Sequence, residues 1–253
     1  MKFKFFGFSD PGRVRHNNED NYLCNENERL FLVTDGMGGH ASGETASKLA
    51  INSIEEFVIR SRSEDTNWPE EYRKDLTLEQ NRLLSATSFA NRHILEVAEQ
   101  DTALEGMGTT VVGVIIEEED QLAILNVGDS RLYRVRDMKI RQLTMDHTLV
   151  GEQEREGVLT KEEVWKHPHR HILTSALGTS ENPKMDVSLS EIRPEDLYVI
   201  CSDGLHDMLN DDEILNKINS IKDKSLYKIG LSLVLEANLT GGRDNITVVL
   251  LSF

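Results

Sequence analysis

Leu30-Phe31-Leu32-Val33-Thr34 runs directly into Asp35-Gly36. The same design returns at Leu197-Tyr198-Val199-Ile200-Cys201-Ser202, which runs into Asp203-Gly204. A third stretch reverses it, with Asp244 ahead of Asn245-Ile246-Thr247-Val248-Val249-Leu250. Short apolar runs of this kind predict strands. Two aspartates then close strands and one opens a strand. If the last strand is antiparallel to the other two, all three carboxylates reach the same edge of the sheet. Crowded there, they repel each other unless cations sit between them. Hard divalent ions such as Mg²⁺ or Mn²⁺ prefer such oxygen ligands. Glycine after the aspartate lacks a Cβ, so its carbonyl can approach a metal closely. A lone Asp-Gly more often marks a turn. Two of them after apolar runs, together with Gly241-Gly242-Arg243-Asp244-Asn245, favour a metal centre.

Working outward, further strands are predicted at residues 3–8, 109–116, 122–127 and 131–135. Gly128-Asp129-Ser130 is good turn chemistry, and the strands either side of it read as a hairpin. Helices are predicted at residues 44–60, 77–100 and 226–238; the first places Ala46, Leu49, Ala50, Ile54, Phe57 and Val58 on one face. Strands that follow one another without a helix between each make a Rossmann order unlikely and suit sheets covered by a few long helices. The polar stretch 60–75, with Trp68-Pro69, reads as a long surface connection. No internal repeat or low-complexity linker divides the chain.

The chain has 253 residues, which suits one large domain or at most two small ones. No run of about 18 apolar residues occurs, so no membrane span is expected. The start, Met1-Lys2-Phe3-Lys4-Phe5-Phe6-Gly7, reads as a strand and not as a signal peptide. The two cysteines, Cys24 and Cys201, form no CxxC motif and no disulfide framework, which is compatible with cytosol. Cys201 follows an apolar run and is expected in the core. The net charge of −16 disfavours nucleic acid as a partner. It also means that an anion-handling site must reverse the local field, which bound divalent cations do.

At this point a resemblance becomes specific. Arg15-His16-Asn17-Asn18-Glu19-Asp20 resembles the first motif of the bacterial PP2C-like (PPM-type) metal-dependent serine/threonine protein phosphatases. Val33-Thr34-Asp35-Gly36-Met37-Gly38-Gly39-His40 is similar to that family's metal-binding loop. Gly106-Met107-Gly108-Thr109-Thr110, Val127-Gly128-Asp129-Ser130-Arg131, Cys201-Ser202-Asp203-Gly204-Leu205 and Gly241-Gly242-Arg243-Asp244-Asn245-Ile246-Thr247 resemble later motifs in the family's order.

The resemblance implies an α/β fold of the α+β type, an αββα sandwich of two antiparallel sheets flanked by helices. It implies one domain over residues 1–253, with a flap at about 144–177. It implies two Mn²⁺ or Mg²⁺ ions, with Asp35 bridging, the Gly36 carbonyl on one ion, and Asp203 and Asp244 on the other. Glu19 and Asp20 match positions that hold metal-bound water or orient the ligands. Asp129 matches a carboxylate associated with a third, weaker ion. Arg15 matches the phosphate-gripping arginine, and His40 a histidine proposed as general acid for the leaving oxygen. Within the flap, His167-Pro168-His169-Arg170-His171 is expected beside the active site, contacting substrate and not metal. The implied reaction is hydrolysis of phosphoserine and phosphothreonine in proteins by a metal-activated water, opposing Hanks-type kinases. The expected protein is a cytoplasmic monomer acting on phosphorylated proteins, with no nucleic acid or membrane partner. No aspartate of the motifs is lost, which argues against a catalytically dead relative. A two-metal nuclease is disfavoured by the acidic charge and the motif order. A structural Ca²⁺ module is disfavoured by the lack of EF-hand spacing.

Overall fold

The computed structural model describes residues 2–38, 42–63 and 68–253. The strands are β1 (Lys4–Asp10), β2 (Asp20–Asn25), β3 (Leu30–Met37), β4 (Gly108–Thr109), β5 (Val111–Ile116), β6 (Gln121–Val127), β7 (Arg131–Arg136), β8 (Lys139–Gln142), β9 (Asp186–Glu191), β10 (Leu197–Cys201) and β11 (Ile246–Ser252). The helices are α1 (Ser42–Ser63), α2 (Leu78–Gln100), α3 (Leu149–Arg155), α4 (Lys161–Lys166), α5 (Asp203–His206), α6 (Asp211–Ser220) and α7 (Leu226–Thr240). One sheet has the order β1-β11-β10-β7-β8; the other runs β2-β3-β5-β6-β9, with β4 beside β3. Every pairing is antiparallel.

The apolar runs are nearly continuous because each central strand is buried on both faces. Side chains alternate along a strand. Phe31 and Val33 therefore face a core shared with Tyr198, Ile200, Val249 and Leu251 of the other sheet. Leu30 and Leu32 point the opposite way, onto Ala46, Ala50 and Ile54 of α1 and Leu83 and Ile94 of α2. On the far side, Val199, Cys201, Val248 and Leu250 pack against Leu205, Ile214 and Leu233 of α5, α6 and α7. The layers are thus helix, sheet, sheet, helix, as the resemblance implied.

Two expectations need correction. β6 and β7 are not a hairpin: β6 pairs with β5 and β9, whereas β7 pairs with β10 and β8. The 128–130 turn carries the chain from one sheet to the other, with Gly128 at φ +104°. Sequential order suggested a pair, but the buried faces of β6 and β7 belong to different sheets, beside β5 and β10. The polar connection also starts later than residue 60, because α1 continues to Ser63. Trp68 then folds back, edge-on to Phe57 at 5.8 Å and beneath the Arg82 guanidinium at 5.5 Å. Thr77 caps α2 through a capping box with Gln80, which starts the helix sharply.

Candidate metal centre

The aspartates do converge, but not on one sheet. Asp203 follows β10 and Asp244 precedes β11, two antiparallel neighbours of the first sheet. Asp35 lies in β3 of the second sheet. The shared place is one end of the sandwich, where a cleft of about 440 Å³ is lined by Asp35, Asp129, Asp203, Asp244, Glu19 and Arg15 among others. The topology explains this: the turn after β6 must cross between the sheets at that end, and it carries Asp129 there.

The segments that carry Asp20, Asp35 and Glu19 are each tied to distant parts of the chain. Asp20 stands directly opposite Asp35 in the β2–β3 register. Asp20 Oδ2 accepts from Ser202 Oγ at 2.7 Å, and that same hydroxyl oxygen accepts from Thr247 N at 3.0 Å, so Asp20 is tied across to β11. The Asp35 amide donates to Thr110 Oγ1 at 3.1 Å, and its carbonyl accepts from Thr110 N at 2.9 Å. Thr110 in turn shares a hydrogen bond with Ser130 at 2.8 Å, beside Asp129. The Glu19 amide donates to Asn245 Oδ1 at 2.8 Å, and the Glu19 carbonyl accepts from Gly36 N at 3.2 Å. Asn245 also reaches the carbonyls of Pro11 and Asn17, both at 2.9 Å. The motif segments at the two ends of the chain are thus pinned together.

The electrostatics of this cluster are unfavourable as it stands. Burial, reinforced by Asp20, Asp203, Asp129 and Asp244, holds the Asp35 carboxyl well above the usual range. Burial raises Asp203 likewise, with Asp129, Asp207, Asp244 and Asp20 adding to it. Asp129 is pushed up to about 7 by burial and then by Asp146 and Asp207. Asp20 is pushed up to about 6, chiefly by burial and against the pull of its Ser202 hydrogen bond. Two buried oxygens, Asp20 Oδ1 and Asp203 Oδ1, have no hydrogen-bond partner among the described residues. Buried carboxylate oxygens without donors, among like charges, are the donor set that hard divalent cations take. The residues therefore fit the implied metals.

The glycines also answer a packing demand. A Cβ on Gly36 would lie 2.1 Å from the Gly43 carbonyl oxygen and 2.8 Å from that of Glu19. Gly36 is small because the start of α1 and the Glu19 segment press on it. Gly204 is crowded in the same way by the Asn245 carbonyl oxygen, 2.0 Å from a Cβ position. A Cβ on Gly43 would meet Glu19 Oε2 at 2.2 Å, which sets the Glu19 carboxylate against the entry to α1.

Arg15 lies at the rim, with Nη2 donating to Asp244 Oδ2 at 2.6 Å and its side chain 56% exposed. That hydrogen bond raises the Arg15 pKa further, so the guanidinium is a fixed positive charge beside the carboxylates. His40 lies outside the described residues. The segment 144–177 covers the flank of the cleft. Asp146 clamps the half-buried Arg131 through both carboxylate oxygens, at 2.9 and 2.6 Å. His147 accepts from the Gly128 amide at 3.2 Å and pairs through Nε2 with Asp186 at 3.0 Å.

Several residues had no motif to reveal them. Asp207 lies four residues after Asp203, a spacing that puts both on one helix face. It pairs with Arg170 Nε at 3.3 Å and His171 Nδ1 at 3.1 Å, fastening the 144–177 segment to α5. Ligand atoms of His171, Asp203 and Asp207 all lie within 4.8 Å of one another, close enough that the three could share an ion. His167 and His169 instead lie ring against ring, tilted by 55° with centroids 5.6 Å apart. His206 is buried, with Nε2 donating to the Asp129 carbonyl at 3.0 Å, and burial holds it neutral. Ser202, Thr110 and Asn245 stand within the quoted motifs, but their part in tying the acidic segments together is visible only once the two sheets face each other.

Comparison with known proteins agrees with the geometry. The pattern of the family described as protein phosphatase 2C matches residues 13–224. The chain is 36% identical over 250 residues to the serine/threonine phosphatase stp of Listeria welshimeri, covering 96% of this chain and 92% of that one. The crystal structure of the Mycobacterium tuberculosis serine/threonine phosphatase PstP/Ppp is similar with a TM-score of 0.84 at 33% identity, covering 99% of this chain and 98% of that chain. A structure of the catalytic domain of PstP in complex with two manganese ions is similar with a TM-score of 0.81 at 33% identity, covering 99% and 97%.

Proposed function

The chain belongs to the protein phosphatase 2C family, and we propose that it hydrolyses phosphoserine and phosphothreonine in proteins at the carboxylate-lined cleft. The observation that carries this is the convergence of Asp20, Asp35, Asp129, Asp203 and Asp244 around buried oxygens that lack donors. Two Mn²⁺ or Mg²⁺ ions would be held by Asp35 between them, by the Gly36 carbonyl, and by Asp203 and Asp244. Glu19 and Asp20 would orient water around them, and Asp129 would serve a third, weaker ion. Divalent cations, when bound, supply the positive field and Lewis acidity that an acidic site needs to take a phosphate and activate water.

The chain's own residues do the rest. Arg15 brings a guanidinium fork to the rim, suited to two phosphate oxygens at once. Its hydrogen bond to Asp244 fixes its direction before substrate arrives. Thr110, Ser202 and Asn245 lock the segments that carry Asp35, Asp20 and Glu19, so little reorganisation is needed on binding. By its match to the family motif, His40 donates a proton to the departing serine or threonine oxygen. Neither cysteine takes part: burial pushes the Cys24 thiol up to about 12 and the Cys201 thiol above the usual range, so neither supplies a thiolate nucleophile. Among the described residues no helix is long and apolar enough to cross a membrane. The fitting role is a monomeric cytoplasmic phosphatase acting against Hanks-type kinases and their targets.

Hydrolysis of a phosphothreonine peptide tests the proposal. Turnover is expected with Mn²⁺ or Mg²⁺, none with a chelator, and recovery when metal is returned. Calorimetric titration should count two ions. Metal-independent turnover, or cleavage of DNA instead, would remove it.

A further inference from the structure

The loop 11–15 and the turn 241–244 form one ledge beside the cleft. The Arg13 and Val14 amides donate to the Gly242 carbonyl at 2.7 and 3.2 Å. Gly12, at φ +78°, lies so close that a Cβ there would come within 2.2 Å of the Asp244 carbonyl oxygen. Three arginines project from this ledge. Arg15 belongs to the cleft. The stem of Arg13 passes Gly242, with Cγ 3.1 Å from where a Cβ would stand. Arg243 folds along Gly241, with Cγ at 3.6 Å and Nε at 3.8 Å from the corresponding point. Arg13 and Arg243 are both exposed, and neither guanidinium has an ion pair among the described residues. The nearby carboxylates are engaged. Asp10 Oδ1 accepts from Gly12 N at 2.9 Å and from Asn238 Nδ2 at 3.0 Å, while Asp244 accepts from Arg15.

Two unpaired arginines on a chain of net charge −16 are a local reversal of the protein's field, placed next to the residue that meets the phosphate. Neither lines the cleft, so neither is required for the chemistry. We infer that Arg13 and Arg243 form a specificity subsite for an anionic group flanking the phosphorylated residue, either an acidic side chain or a second phosphate. The inference rests on the phosphatase reading of the adjoining cleft. A guanidinium pair held on a glycine turn offers two forked donors to one carboxylate or phosphate. On a chain of net charge −16, this pair next to the cleft gives an acidic peptide a contact beside the phosphate.

The experiment compares kcat/KM on phosphothreonine peptides of one length whose flanking residues are alanine, glutamate, lysine or a second phosphoserine. Wild type with Mn²⁺ at low salt should favour the glutamate peptide over the alanine peptide by about fivefold, the scale of two exposed ion pairs. The combined substitutions Arg13→Ala and Arg243→Ala should bring the ratio close to one. Arg13→Glu with Arg243→Glu should turn the preference towards lysine. Hydrolysis of p-nitrophenyl phosphate should be unchanged in all of them. A gain seen only with the doubly phosphorylated peptide supports the subsite with phosphate as its anion; a gain shared with glutamate supports carboxylate as well. Equal rates on all flanks in wild type, or a preference that survives the alanine pair, overturns the inference. Failure to hydrolyse any of the peptides would instead strike the phosphatase reading.

Discussion

Asp35-Gly36 and Asp203-Gly204 are the same dipeptide in two different backbones. The first stays inside β3, which runs on to Met37. The second opens the helix α5. Neither glycine has the positive φ of a turn glycine. What they share is contact: each glycine is pressed by a carbonyl oxygen from another segment, Gly43 in one case and Asn245 in the other. One pair seats its carboxylate beside the entry to α1, the other beside the start of β11. Two unrelated conformations can thus serve one site, provided both put a carboxylate at the same end of the sandwich and neither blocks the neighbour that closes it.

The largest test of this equivalence is to neutralise each aspartate in turn. Asp203→Asn and Asp35→Asn should each lower turnover by on the order of 10³, because charge is removed where it must meet charge. Circular dichroism should show both folded. If Asp35 spans two ions and Asp203 holds one, calorimetry should find more metal lost with Asp35→Asn. Equal stoichiometry in the two variants would break the assignment of Asp35 as the bridge, and normal rates would break the metal centre itself.

The glycines come next. Gly36→Ala and Gly204→Ala each force a methyl group against a carbonyl oxygen, and overpacking of this kind costs about 1–3 kcal/mol. Gly204 begins a helix, where alanine is the better residue by about 1 kcal/mol. The thermal midpoint should therefore fall further for Gly36→Ala. The reverse order would mean that the Asn245 contact is the stiffer one.

Arg15 leans on the Asp244 side of the site, and its loss should spare the Asp35 side. Arg15→Ala should raise KM for a phosphopeptide by about 2 kcal/mol in binding terms, the scale of a charged hydrogen bond, with a smaller change in kcat. An unchanged KM would assign the phosphate to another group.

The smallest effect concerns the turn that brings Asp129 to the other two. His147 receives the Gly128 amide, and its Nε2 faces Asp186 and, through Asp186, Arg155. Burial lowers the His147 pKa, while the Asp186 pKa is lowered by His147 and by Arg155 and Lys184 against the opposing effect of burial. Both directions describe a neutral imidazole donating to a carboxylate anion. In the unfolded chain a histidine titrates near ~6.5. Below that pH the unfolded state takes up a proton that the folded state resists, so acidification favours unfolding. His147 therefore adds stability that is complete above pH ~6.5 and is lost as pH falls towards its folded value. Denaturant midpoints measured between pH 7 and 5 should fall, and His147→Gln should flatten that slope. An unchanged slope would mean that other groups set it.

Much of this was open to reading along the chain. Apolar runs such as Leu197–Cys201 appear as strands with the predicted bounds, because burial on both faces leaves no room for polar residues. Weaker elements escaped for the opposite reason. β2 holds Tyr22 and Asn21 on a partly exposed edge, and β9 is an edge strand with only Ser190 buried, so neither carries an apolar signal. The short helices α3 and α4 rest on caps and a few contacts, too little for a periodic pattern.

By itself the sequence determined which residues carry charge, which runs must be buried and where the chain can turn, since these follow from side-chain chemistry over a few neighbouring positions. It also carried the ordered motifs whose acids meet in the cleft. Only the tertiary structure decided that the acids come from two facing sheets, that the 128–130 turn crosses between them, and that the glycines are small for the sake of a neighbour. Those outcomes depend on partners far apart along the chain. Arg15 meets Asp244 across 229 positions, and Ser202 holds Asp20 across 182. Burial and charge at such a site are set by what the fold brings near, and no local stretch contains that information.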